Sequence, residues 1–222
     1  MDILKAMEER HSVRSYLEKE VEIDKLNILK NEVELCNELS GLNIQLIVNE
    51  NSAFSGFIAK YSKFKNVKNY IAMVGKKSDK LDETVGYFGE RLVLKCQMLG
   101  LNTCWVGLKL ITKKGKCKIS DDEKLICIIP FGYGESQGIA SKSKSFEKVT
   151  NVKGDVPDWF RRGVEYALLA PTAINQQKFL FTLGDDNIVS IKETGGVMSK
   201  VDLGIVKYHF EVAAGVDNFK WF

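Results

Sequence analysis

Apolar residues recur along the chain at two periods, one helical and one strand-like, and together they divide it into elements. Ile3, Leu4 and Met7 in "DILKAMEER" fall at helical spacing and predict a short first helix. Ile23, Leu26, Leu29 and Val33, continuing to Leu35 or Cys36, predict a second helix over "EIDKLNILKNEVELCNEL", with Asp24 as candidate N-cap. "LNIQLIV" alternates as a strand does, and Asn49 to Ser52 then supply a turn. "KNYIAMVG" predicts another short strand. "DETVGYFGERLVLKCQMLG" predicts a long buried helix closed by Gly100 in a left-handed cap. "LICIIPFGYG" is an apolar strand that runs into a glycine turn and the polar loop "ESQGIASKSKS".

The later part of the chain repeats this order. "VPDWFRRGVEYALLA" predicts a helix with Asp158 near its start, "KFLFTLG" and "DNIVSIKE" two strands, and "VDLGIVKYHFEVAAG" a second buried helix ended by glycine. Gly89 and Gly100 are spaced as Gly204 and Gly215 are, and a tryptophan follows each pair, Trp105 and Trp221. Upstream, "VELCNELSGLNIQLIV" is similar to "VEYALLAPTAINQQKFLFT". These parallels predict a degenerate internal duplication, although glycine-capped helices are common enough to coincide. The expected fold is α+β, a mostly antiparallel sheet flanked by helices. Residues 1–222 form one unit with pseudo-symmetric halves near 1–145 and 146–222.

Composition narrows the function classes. The chain has 222 residues, 45% hydrophobic and 27% charged, as a globular protein with a sizeable core would. Its 32 basic and 29 acidic residues leave a net charge of +3, too balanced for a protein that coats nucleic acid. No apolar run is long enough to span a bilayer, and the start lacks an apolar signal core. Neither a nucleic-acid nor a membrane partner is expected, and the cytoplasm is the expected compartment. Cys36, Cys96, Cys104, Cys117 and Cys127 are scattered without a C-x-x-C pair, which argues against a disulfide framework or zinc site. With two histidines, His11 and His209, and no H-E-x-x-H spacing, no metal site is expected. The P-loop and the Rossmann G-x-G-x-x-G are both missing from the sequence.

Arg10, His11, Ser12 and Arg14 crowd into "ERHSVRSY" directly after the first helix. A solvated helix boundary accounts for such residues without chemistry. Four stretches together point elsewhere: "RHSVRSY", "CQMLGLNTCWVG", "IIPFGYG" and "LAPTAINQQKF". They resemble the nitroreductase-family flavoproteins, in which R-x-S-x-R binds flavin mononucleotide (FMN) and a P-S-x-x-N-x-Q-P-type loop meets the flavin ring across a dimer interface. The order departs from the usual one, because "ELSGLNIQ" at 38–45 has lost that loop and "APTAIN" carries it in the second half. Conversely, "KVTNVKGDVPDWFRRG" has no R-x-S-x-R. A fused pair that keeps one of two flavin sites explains both losses. The arrangement resembles the divergent branch of the family first seen in thermophilic bacteria.

That resemblance implies one FMN per chain, held by a monomer that imitates the family's homodimer. Arg10 and Ser12 would face the phosphate, where arginine can donate paired hydrogen bonds and the hydroxyl one more. Alternation would bring Arg14 to the same side, at the pyrimidine edge, where a cation favours the charge that develops on reduction. His11 would add backbone or ring contacts, or serve only as a boundary residue. Lys142 or Lys144 would supply a late basic contact to the phosphate, unless "SKSKS" is only solvated. Pro171, Thr172, Ala173 and Asn175 make the candidate ring loop, with Gln177 adding a contact or orienting Asn175. The alternative is a turn in which proline merely ends a helix. Val106, Gly107 and Leu108 would approach flavin N5 by backbone, and "KKGKCK" at 113–118 would be an exposed loop. The implied reaction takes hydride from NAD(P)H through the flavin to a small electrophilic acceptor of nitroaromatic or quinone type. The alternative is a flavin-binding or sensing protein without turnover.

Overall fold

In a computed structural model, residues 1–50, 64–107 and 116–222 are described. Helix α1 (Ile3–Glu9) starts where the Asp2 side chain accepts the Lys5 N–H at 2.9 Å. Helix α2 (Ile23–Ser40) ends on Gly41 in a left-handed conformation, φ 70°. Its N-cap is Glu22, and Asp24 lies in the first turn, where a carboxylate favours the helix dipole without capping. Strands β1 (Gln45–Ile47) and β2 (Asn69–Lys76) precede the long helix α3 (Leu81–Met98), which Gly100 closes at φ +75°. Strands β3 (Asn102–Thr103), β4 (Val106–Gly107) and β5 (Glu123–Gly132) complete a five-stranded sheet.

Its order is β1-β2-β5-β3 with β4 also on β5, and every pair is antiparallel. β2 is buried at every residue except Lys76, which is why it reads as an apolar run rather than an alternation. One face, with Ile71, Met73 and Ile129, meets the helices; the other, with Tyr70, Ala72 and Ile128, closes on Tyr16 and Phe64. Strands β3 and β4 escape the sequence pattern, since two residues carry no period.

The later part holds α4 (Asp158–Ala167), β6 (Phe179–Leu183), β7 (Ile188–Glu193), α5 (Ser199–Ala214) and β8 (Lys220–Trp221). β6 and β7 pair antiparallel and β8 joins β7 in parallel, forming a separate three-stranded sheet. One apolar core runs from Leu29, Ile71 and Leu92 to Phe160, Phe181 and Phe210.

Helices α3 and α5 cross where neither has a side chain. A Cβ at Gly86 would stand 2.0 Å from the Val201 carbonyl oxygen, and one at Gly204 would stand 2.0 Å from that of Glu83. Each glycine thus faces the carbonyl three positions before the other. The sequence spacing aligns Gly204 with Gly89, but the structure sets it against Gly86. Gly89 instead makes room for Trp105, whose Cη2 would lie 2.4 Å from its added Cβ. Among the described residues, no helix is long and apolar enough to cross a membrane. Burial pushes the Cys36 thiol up to about 11 and that of Cys96 up to about 12, which leaves both as inert thiols at neutral pH.

Candidate functional site

Helix α1 releases the chain at Arg10 into extended backbone, φ −70°, ψ 120°. Val13 N–H then donates to Thr103 O at 2.9 Å and Tyr16 N–H to Lys65 O at 3.0 Å, which fixes the segment along the sheet. Val13 and Tyr16 are buried as anchors. Across from them runs the loop after α4, and between the two lies a cleft of ≈ 610 Å³. Arg10, His11, Ser12 and Arg14 line one side; Pro171, Thr172 and Asn175 line the other. A third wall comes from Ser136 to Ser143, where Gly138 passes so close that a Cβ there would sit 2.7 Å from His11 Cβ. Ser12, Arg14, Pro171, Thr172 and Ile174 also border a smaller inner pocket of ≈ 120 Å³, with Trp105, Val106, Gly107, Ala173 and Asp202.

Arg10 is the electrostatic centre of the cleft. It is 8% exposed, and its Nε is, among the described residues, a buried side-chain polar atom without a hydrogen-bond partner. Burial lowers its pKa, partly offset by the carboxylate of Glu90. Leaving such a donor unsatisfied costs about 1–3 kcal/mol, which an anionic acceptor in the cleft would recover. His11 is also held below its ordinary value, by burial and then by the Arg10 charge, so the cation next to it favours neutral imidazole.

Behind Arg10 lies a fully buried pair, Glu90 on α3 and His209 on α5. Glu90 Oε2 accepts from Trp105 Nε1 at 3.0 Å, and Oε1 lies 2.9 Å from His209 Nε2. His209 Nδ1 is 3.0 Å from the Tyr166 carbonyl, which can only accept, so Nδ1 carries a proton. The pair ties α3, α4 and α5 to the indole at the inner pocket.

The loop after α4 is strained and heavily tied. Ile174, Asn175 and Gln177 have φ of 49°, 54° and 45°, left-handed values uncommon without glycine and, for β-branched Ile174, exceptional. Asn175 Nδ2 donates to Lys142 O at 2.8 Å, so Lys142 meets the loop through its carbonyl. Gln177 is buried away from the cleft: Nε2 donates to Leu168 O at 2.8 Å, and Oε1 accepts Lys144 N–H at 2.7 Å. The Lys144 ammonium donates to Gln177 O at 2.8 Å. Asp202 Oδ1 accepts the Ala173 N–H at 2.8 Å, and Oδ2 accepts Gln176 Nε2 at 2.6 Å. Burial raises the Asp202 carboxyl to about 6 against the pull of those two donors.

The structure therefore gathers Arg10, His11, Ser12, Arg14, Pro171, Thr172 and Asn175 at the main cleft, and Val106, Gly107 and Ala173 at the inner pocket. Lys142, Lys144 and Gln177 do not line either space and brace the loop from behind. Leu108 and residues 113–115 of the basic run lie outside the described residues. Asp202, Gln176, Glu90 and His209 were not legible as site residues. The signal available was an Asp and a His at buried positions of "VDLGIVKYHFEVAA", whose other charged residues are Lys207 and Glu211.

Known structures share this fold. A provisionally assigned nitroreductase from Thermotoga maritima superposes with a TM-score of 0.67 at 23% identity, covering 96% of this chain and 83% of that one. A similarly assigned nitroreductase from Desulfovibrio desulfuricans, solved in complex with FMN, gives 0.55 at 14% identity, with coverage of 71% and 99%. An NADH dehydrogenase/NAD(P)H nitroreductase assignment from Parabacteroides distasonis gives 0.52 at 17%, with coverage of 66% and 95%. No protein of curated function matches the chain in sequence. Residues 2–214 match the family model described as "Putative TM nitroreductase", and the chain belongs to that family.

Proposed function

We propose that the chain is a flavin oxidoreductase that binds one FMN and moves hydride equivalents from NAD(P)H to a small electrophile of nitroaromatic or quinone type. The observation that carries this reading is Arg10, a buried guanidinium with an unpartnered Nε at the wall of a ≈ 610 Å³ cleft. That volume falls within the range of about 300–1,000 Å³ common for small-molecule sites. The FMN complex of the D. desulfuricans relative, with the same fold, adds support.

FMN, when bound, supplies the two-electron chemistry that no side chain here can provide. The chain's own residues bind and tune it. Arg10 and Ser12 would hold the phosphate, with His11 beside them. Arg14, which borders both spaces, would sit at the pyrimidine edge and favour negative charge there. Pro171, Thr172, Ala173 and Asn175 would cover the ring, with Gln177, Lys142 and Lys144 supporting them through the ties already described. Val106 and Gly107 would form the opposite wall. Gly107 abuts Met198, whose Sδ would lie 2.7 Å from an added Cβ, so a larger residue would crowd the inner pocket.

The halves 1–145 and 146–222 would act as two fused subunits of one monomer. The reciprocal Gly86–Gly204 crossing supports this. The buried thiols suit a reducing, cytoplasmic setting.

The test is spectroscopic. Purified protein should carry, or take up, about one FMN, and anaerobic NADH or NADPH should bleach its visible bands. Protein that binds flavin and resists bleaching would be a flavin-binding protein without turnover; protein that takes up none would overturn the reading.

A further inference from the structure

We propose that Asp202 is the positioning residue that holds the 171–177 loop in its strained form against the inner pocket, an inference that rests on the flavin reading above. The carboxylate lies on α5, two residues before the Gly204 crossing, where backbone contact with α3 leaves little freedom to move. It reaches the loop at two points, the Ala173 N–H at 2.8 Å and Gln176 Nε2 at 2.6 Å. These flank Ile174 and Asn175, which hold left-handed φ values. A left-handed conformation is unfavourable for each such residue, because its Cβ crowds the following carbonyl oxygen. It persists only where the surroundings determine it.

Gln176 is built to serve Asp202. Its Nε2 also donates to Val197 O at 2.8 Å, so both amide hydrogens are used. Gly196, at φ +108°, leaves the space: a Cβ there would lie 2.1 Å from Gln176 Oε1. The carboxamide cannot turn over without setting its oxygen against the Val197 carbonyl. Asp202 must therefore accept on both oxygens, which a carboxyl group does whether ionised or protonated and an amide does not. The remaining ties, Gln177 N–H to Thr172 Oγ1 at 3.0 Å and Gln177 to Leu168, secure the far end of the loop. Without Asp202, the Ala173 N–H at the start of the turn would lose its acceptor and Gln176 one of its two, while the ties of Asn175 and Gln177 would remain.

Asp202→Asn and, as a second route, Gln176→Met test this. Asp202→Asn presents a donor where only acceptors fit; Gln176→Met removes one tie and leaves the carboxylate in place. In flavin-free protein, the Ala173 amide should exchange with solvent deuterium about tenfold faster or more in both variants. In each, the FMN dissociation constant should rise about tenfold, and the bound-flavin absorption bands should move toward those of free FMN. Unchanged Ala173 exchange in both variants would overturn the proposal, and so would faster exchange with unaltered FMN affinity and spectrum. If the wild-type protein itself binds no FMN, the flavin reading fails separately, and the exchange experiment still decides whether Asp202 holds the loop.

Discussion

Replacing Gly204 with alanine would set a methyl carbon 2.0 Å from the Glu83 oxygen and 2.6 Å from the Tyr87 nitrogen, both backbone atoms of a packed helix. No rotamer relieves such a contact, so α3 and α5 must separate by on the order of 1 Å before carbon and oxygen reach ordinary distance. A gap of that size forfeits a quarter to a half of each dispersion contact along the seam, which here joins residues such as Val85 and Val206. Overpacking of this kind costs about 1–3 kcal/mol and occasionally more. The better helix propensity of alanine returns about 1 kcal/mol where a glycine leaves a helix interior. With the cost at the upper end of that range, because both contacts are to backbone, and about 1 kcal/mol returned, a net loss of about 2 kcal/mol is expected for Gly204→Ala, and the same for Gly86→Ala, whose methyl would stand 2.0 Å from Val201 O. Once one methyl has opened the seam, the second enters at little further cost. The double variant should therefore fall short of the summed single losses by about 1–2 kcal/mol. Urea unfolding monitored by far-UV circular dichroism measures all three. Additive losses, or a stabilisation of either single variant, would refute the reasoning.

Other expectations follow from the same geometry. Arg10→Ala should weaken FMN binding at least tenfold by fluorescence quenching, because a charge-assisted bond worth about 1.5–3 kcal/mol is lost, while flavin-free stability should change little or improve as an unpaired buried donor disappears. Glu90→Gln can accept from Trp105 and donate to His209, so it should keep the fold, whereas Glu90→Ala strips two buried donors of their acceptor and should cost about 3–5 kcal/mol in chemical denaturation. The folded-state carboxyl of Asp202 is raised to about 6 from 3.8, so its contribution is fully present below the ordinary carboxylate range and is lost as pH rises through about 6. Relative to Asp202→Asn, the wild-type chain should therefore gain about 2 kcal/mol of unfolding free energy between pH 7.5 and pH 4.5, and a difference that does not vary with pH would count against the raised carboxyl.

Much of the fold could be read from the sequence because its helices carry clear periods, some ending on glycines that take left-handed backbone, as Gly41 and Gly100 do, and its longer strands stand out as apolar runs. β3, β4 and β8 could not, since two-residue strands are defined by their partners on β5 and β7 rather than by any pattern of their own. At the cleft, the grouping of Arg10, Ser12 and Arg14 was visible in their spacing, while their roles, like those of the 171–175 loop, were expected through resemblance alone. What stayed hidden were the supports. Asp202 and His209 look alike in sequence, single polar residues on a buried helix, and only tertiary contacts separate one that grips a loop from one that joins three helices. The basic loop illustrates the opposite case: Lys142 and Lys144 suggest charge turned to the cleft, yet Lys142 meets the loop through its carbonyl, and Lys144 through its backbone N–H and an ammonium spent on the Gln177 carbonyl.

The Glu90–His209 contact has one more implication. With Nδ1 committed to the Tyr166 carbonyl, a single hydrogen must occupy the 2.9 Å line between imidazole and carboxylate. Whether it resides on nitrogen or on oxygen, the sum of formal charges is zero, and neither location requires exchange with bulk water. On nitrogen it leaves an ion pair and on oxygen a neutral pair, so moving it along that line changes the local charge separation without changing the total charge of the interior.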